Sequence, residues 1–86
     1  MFKKNQRTTI HSEFFNSKKM ANYIKNIRVQ KQLSQYTVAD KLGISQNSYW
    51  LLENGHTKIT MEHIAGFSVV FNVDCKQLLT DFFEQI

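Results

Sequence analysis

The sequence predicts an all-α domain, a compact bundle of five short helices over residues 20–86 preceded by a basic extension over residues 1–19. Three observations predict it. Proline is absent and only three glycines occur in 86 residues, so few positions break a helix. From Met20 onward, apolar residues recur at steps of three and four, the period of helices that bury one face. Between those runs stand residues that start or stop helices, namely Ser34, Gly43, Ser45, Gly55, Thr60, Asn72 and Asp74. They leave connections of about two to six residues, as a small bundle needs.

Met20, Ile24 and Ile27, with the stem of Lys31, form the apolar face of the first helix. Ser34 N-caps the second, Gln35 through Leu42. Gly43 ends it in the left-handed conformation, and Ile44 folds back as the hydrophobic contact of that stop. Ser45 caps the third helix, Gln46 through Asn54, until Gly55 stops it. Val38, Ala39 and Leu42 point inward from the second helix, and Tyr49 and Leu52 from the third. Thr60 caps the fourth, with Met61, Ile64, Phe67, Ser68 and Phe71 inward and Asn72 as its stop. Asp74 opens the fifth, with Gln77 at capping-box spacing and Leu78, Leu79, Phe82, Phe83 and Ile86 as its apolar residues.

The stretch from Ser34 to Gly55 constrains function most. Two capped helices that abut so closely must cross steeply, and Ala39 is small enough to let them touch. This is the spacing of a helix-turn-helix, whose second helix stands proud with a polar first turn that fits the major groove.

Charge distribution agrees. The net charge is +4 and the pI about 9.4. Residues 1–19 carry Lys3, Lys4, Arg7, Lys18 and Lys19 against Glu13; residues 20–58 carry Lys25, Arg28, Lys31, Lys41 and Lys58 against Asp40 and Glu53. Residues 59–86 reverse the sign, with Glu62, Asp74, Asp81 and Glu84 against Lys76. Such polarity suits one end that faces phosphates and another that faces away. The extension reads as a basic arm along the DNA backbone, as a tail, or as a segment that docks through Phe14 and Phe15. One cysteine, Cys75, excludes an intramolecular disulfide and suits a reducing, cytoplasmic compartment. No apolar run reaches the roughly 18 residues of a membrane span, and the N-terminus lacks the apolar region of a signal peptide.

Leu33-Ser34-Gln35, Ala39 through Ser45, Glu53-Asn54-Gly55, and Val73-Asp74 through Leu78-Leu79 together resemble the Cro/C1-type (Xre) helix-turn-helix family of phage and bacterial repressors. The resemblance runs from about Ala21 to Leu79. It implies a lambda-repressor-like five-helix domain that binds double-stranded operator DNA, usually as a homodimer, with no cofactor. Carried over, Gln35 holds a phosphate and braces a base-reading neighbour, while Ser45, Gln46, Asn47 and Ser48 open the recognition helix. Asn54 and Lys58 match positions that contact the sugar-phosphate backbone, to which Thr57 can add its hydroxyl or its amide. Arg28 and Glu53 resemble the family's structural ion pair. Gln and Asn suit base reading because each sets a donor beside an acceptor, which matches adenine N6 and N7.

The chain departs from the family at Trp50 and Leu51, where polar residues are usual. Helical spacing puts both on the outer face with Gln46 and Asn47. They either alter DNA readout or make this scaffold a protein-interaction module with Trp50 and Leu51 as its anchor. Helix four departs too, since Ala65, Gly66, Val69 and Val70 are smaller or more apolar than a solvated face needs. Val69, Val70, Phe82, Phe83 and Ile86 are the expected dimer surface. His11, His56 and His63 have no cysteine partners at zinc spacing, and no catalytic constellation is present, so neither a metal site nor an enzyme is expected.

Overall fold

The structure, a computed structural model, describes residues 17–85. Most of the predicted basic extension, with Phe14 and Phe15, and Ile86 of the expected dimer surface lie outside the described residues. Among those described, five helices and no strands occur: α1 (Ser17–Gln30), α2 (Gln35–Leu42), α3 (Gln46–Glu53), α4 (Met61–Phe71) and α5 (Cys75–Glu84). No described helix is long and apolar enough to cross a membrane.

Each helix from α2 onward starts on a side-chain cap. Ser34 accepts from Thr37 N at 3.0 Å and Ser45 from Ser48 N at 3.0 Å. The full capping box lies at Thr60 and His63, not at the expected Asp74 and Gln77. Thr60 Oγ1 accepts from His63 N at 3.2 Å while His63 Nδ1 accepts from Thr60 N at 3.0 Å. At α5 only half the box forms, because the Gln77 amide donates to Asp81 Oδ1 at 2.7 Å, one turn on. That bond draws the Gln77 side chain forward along the helix, away from the Asp74 N–H that its carbonyl oxygen would accept in a full box.

Helix stops follow one pattern. Gly43 (φ 76°) and Gly55 (φ 75°) are left-handed, and the next residue's amide closes back on the helix: Ile44 N to Ala39 O, His56 N to Leu51 O. Asn72 does the same at φ 55°. A fourth stop, after α1, rests on Gln32 at φ 58°, with Leu33 N bonded to Arg28 O at 3.1 Å. Glutamine is no turn signal, so only the three-dimensional structure locates this stop. Leu33 packing against the core holds the chain there, against an αL preference that costs a non-glycine residue about 1–2 kcal/mol.

The core forms where the five helices converge on Tyr49, Phe67, Phe71, Met20, Ile24 and Leu78, each about fully buried. Ile59, in the loop before α4, is also buried at 3% exposure; it belongs to no helical period and so escapes a periodicity argument. Met61, expected inward, is 57% exposed. The buried row Ile64, Phe67, Phe71 extends backward to Thr60, the cap, and Met61 stands about 100° round from it. Gly66 is accounted for by Leu42: a Cβ at Gly66 would stand 2.8 Å from Leu42 Cδ2. α1 opens at Ser17, ahead of Met20. Its first turn abuts the loop after α3, where a Cβ on Gly55 would lie 2.8 Å from Lys18 Cγ.

The expected dimer surface is revised at two residues. Phe82 is 2% exposed and packs its ring 5.4 Å from that of Tyr23, whose hydroxyl donates to Leu78 O. Val70 is half-buried against the same core. Leu78 and Phe82, four apart, form the inward row of α5, which leaves Phe83 outside at 44% exposure. Val69 is 80% exposed. Denaturant unfolding should separate the two neighbouring phenylalanines: Phe82→Ala is expected to lose about 3–5 kcal/mol of stability, as for a buried aromatic ring. Phe83→Ala should stay within about 1 kcal/mol of the parent.

Candidate nucleic-acid interface

The two serine caps set α2 and α3 end to start across Gly43 and Ile44, so that the first turn of α3 emerges beside the first turn of α2. Gln46, Asn47 and Ser48 are exposed there. Gln35, Gln46, Asn47 and Trp50 line one shallow depression. Four side chains that the sequence singled out, from two helices, therefore meet on one face. The Ser45 and Ser48 hydroxyls bond each other at 2.9 Å, and Ser45 Oγ also accepts the Ser48 amide. Their main work in this structure is the cap.

Beneath that face lies the Glu53 carboxylate, and the residue is 5% exposed. Arg28 grips it with two bonds, Nε to Oε2 at 2.7 Å and Nη2 to Oε1 at 2.9 Å. Its third contact, Nη1 to Leu33 O at 2.7 Å, pins the end of α1. Gln35 Nε2 donates to Glu53 Oε1 at 3.0 Å, and the Tyr49 hydroxyl donates to Oε2. Each carboxylate oxygen thus receives two donors. No buried side-chain polar atom among the described residues lacks a partner.

Burial alone raises the Glu53 carboxyl's pKa, but the hydrogen bonds from Arg28, Tyr49 and Gln35 outweigh it and hold the group below the usual carboxylate range. The bond to Glu53 in turn raises the Arg28 guanidinium, and burial followed by Glu53 pushes the Tyr49 phenol up. The sequence indicated the Arg28–Glu53 pair through resemblance, and it placed Tyr49 only as an inward side chain. The i, i+4 spacing of Tyr49 and Glu53 was the signal for their contact.

Gln35 has a second consequence. An ionised carboxylate accepts only, so the amide nitrogen of Gln35 must face Glu53, and its carbonyl oxygen turns away from it. A residue that the resemblance assigns to a phosphate is also a strut between α2 and the end of α3.

Trp50 is 42% exposed and stacked on His56, with ring centres 5.6 Å apart and planes at 29°. His56 had no role in the sequence reading. It reaches Trp50 because Gly55 turns the chain back and His56 N bonds Leu51 O. Asn54 Nδ2 donates to Trp50 O at 2.9 Å, so this side chain caps the end of α3. Leu51 is only half-exposed, whereas Thr57 and Lys58 stand in the exposed loop that follows. Among the described residues no group of three His, Cys, Asp or Glu side chains is placed to hold a metal ion.

Compared with models of known protein families, residues 24–78 match the one described as helix-turn-helix. The match takes in all of α2, α3 and α4, and with them the Glu53 network. No curated protein matches the chain.

Two measurements test the network as the support of this face. Arg28→Ala leaves a buried carboxylate without its cation and should lower stability by about 3–5 kcal/mol. Because Glu53 titrates lower in the folded chain than its usual 4.5, its stabilisation is complete above that value and is lost as pH falls through the folded pKa. Acid titration of unfolding should show that loss below about pH 4.5, and Glu53→Gln should remove that component.

Proposed function

The chain belongs to the Cro/C1-type (Xre) helix-turn-helix family of DNA-binding regulators, and from that membership we propose that it represses transcription by reading operator DNA in the major groove with α3. The observation that carries this reading is that exposed Gln46 and Asn47 line one depression with half-buried Gln35. Gln46 and Asn47 carry amides able to pair with adenine N6 and N7. Gln35, turned by Glu53, braces them. Asn54, Thr57 and Lys58 flank the face on the loop side, where backbone phosphates would pass.

The charge pattern supports the same orientation. Residues 20–58 are net positive and residues 59–86 net negative, so phosphates attract the first part and repel the second. A two-fold dimer would use the acidic part, where Val69 and Phe83 remain exposed and apolar. It would set two copies of α3 about 34 Å apart on one side of the duplex.

Selection of bound DNA from a random pool should return a consensus with inverted half-sites. On that site Gln46→Ala should cost about 1–3 kcal/mol and leave random DNA unaffected. Lys58→Ala should weaken both alike and reduce the salt slope by about one. Equal loss on selected and random DNA in the Gln46 variant would rule out base reading by α3. Sedimentation of Val69→Lys/Phe83→Lys should show less dimer than the parent, with weaker binding to the paired half-sites.

A further inference from the structure

We propose that Trp50, backed by His56, is a receptor for the 5-methyl group of a pyrimidine in the major groove, so that the protein distinguishes thymine from uracil and 5-methylcytosine from cytosine at one position of each half-site. This rests on the DNA-reading role of α3 proposed above and names the chemistry that the apolar part of its face would recognise.

Three observations carry it. Trp50 lines the same depression as Gln35, Gln46 and Asn47, so whatever occupies that depression meets amides on one side and an indole on the other. The indole is not spare core: it is 42% exposed, while Tyr49 and Leu52 beside it are buried. Its ring is also backed, by the stack on His56 at 5.6 Å. A backed, half-exposed aromatic surface beside donor–acceptor amides needs an apolar group from the ligand. The major groove offers one on its base edges, the pyrimidine C5 methyl. Spacing agrees. Trp50 lies four residues after Gln46, about 6 Å along the helix at 1.5 Å per residue, which is about two base steps. The methyl read by Trp50 therefore belongs to a base pair within two steps of the one read by Gln46.

The test uses the full chain and the site obtained by random selection. Thymines are replaced singly by deoxyuridine, which removes only the methyl. One thymine per half-site should lose roughly four- to fivefold in affinity on replacement, the worth of one buried methyl. With cytosine at that position, C5 methylation should recover a similar factor. Trp50→Ala should bind the thymine and uracil sites alike, Trp50→Phe should keep part of the discrimination, and Gln46→Ala should keep all of it. Trp50 emission should change on binding the thymine site, which an exposed indole covered only by a protein partner would not do. Uracil tolerated at every position by the parent, or unchanged discrimination in Trp50→Ala, would overturn methyl reading and leave operator binding intact. If random selection returned no preferred sequence, both proposals would fall together.

Discussion

The Glu53 carboxylate is the point on which the rest of this structure hangs. It sits at the end of α3 and is out of water, a position that an unpaired charge could not hold without losing several kcal/mol. Arg28 from α1 neutralises it, Gln35 from α2 and Tyr49 from α3 fill its remaining acceptor sites, and Arg28 also closes on Leu33 O. Three helices are thereby tied to one group. Hydrophobic contact alone tolerates sliding and rotation. A bidentate guanidinium–carboxylate pair tolerates little of either. The network's contribution is geometric: it sets where the first turn of α2 lies relative to α3, and hence that Gln35 lines one depression with Gln46 and Asn47.

Such a network also resolves an electrostatic conflict. A carboxylate close behind the proposed DNA face would repel phosphates. Pairing with Arg28 cancels that field at short range, and the hydrogen bonds from Arg28, Tyr49 and Gln35 keep the carboxylate ionised against the effect of burial. An isolated surface ion pair would do neither, since its worth is small and salt weakens it.

The second constraint is the way helices end. Four left-handed residues turn the chain sharply, and at Gly43 and Gly55 the turn does more than stop a helix. Gly43 lets α3 begin at once beside α2. Gly55 brings His56 back over Trp50 and leaves room for Lys18 of α1. A side chain at Gly55 would have to adopt a disfavoured backbone and displace that first turn. The proposed reading helix, α3, is bounded by these two glycines, one ahead of its polar residues and one behind its indole.

Much of this was legible from sequence because it is local. Ser34, Ser45 and Thr60 as caps, Gly43, Gly55 and Asn72 as stops, and the inward rows of α2 and α3 depend on a residue and its neighbours within one turn. The five-helix class follows from them. What the sequence could not supply was long-range. Gln32 takes a glycine's conformation because Leu33 is held by the core, and Ile59 is buried although it lies in no helix. One local choice was hidden as well: His63 completes a capping box, whereas the Gln77 side chain bonds Asp81 one turn on. Phe82 and Phe83 are chemically identical, and only the packing of α5 on Tyr23 decides which one is core. In the same way the sequence by itself determined that Trp50 shares a helix face with Gln46 and Asn47, since that is a matter of helical period. That Gln35 joins them, with its amide turned by Glu53, and that His56 holds the indole were decided by the tertiary structure. Those contacts join residues on different elements, and only the folded chain brings them within hydrogen-bonding or stacking distance.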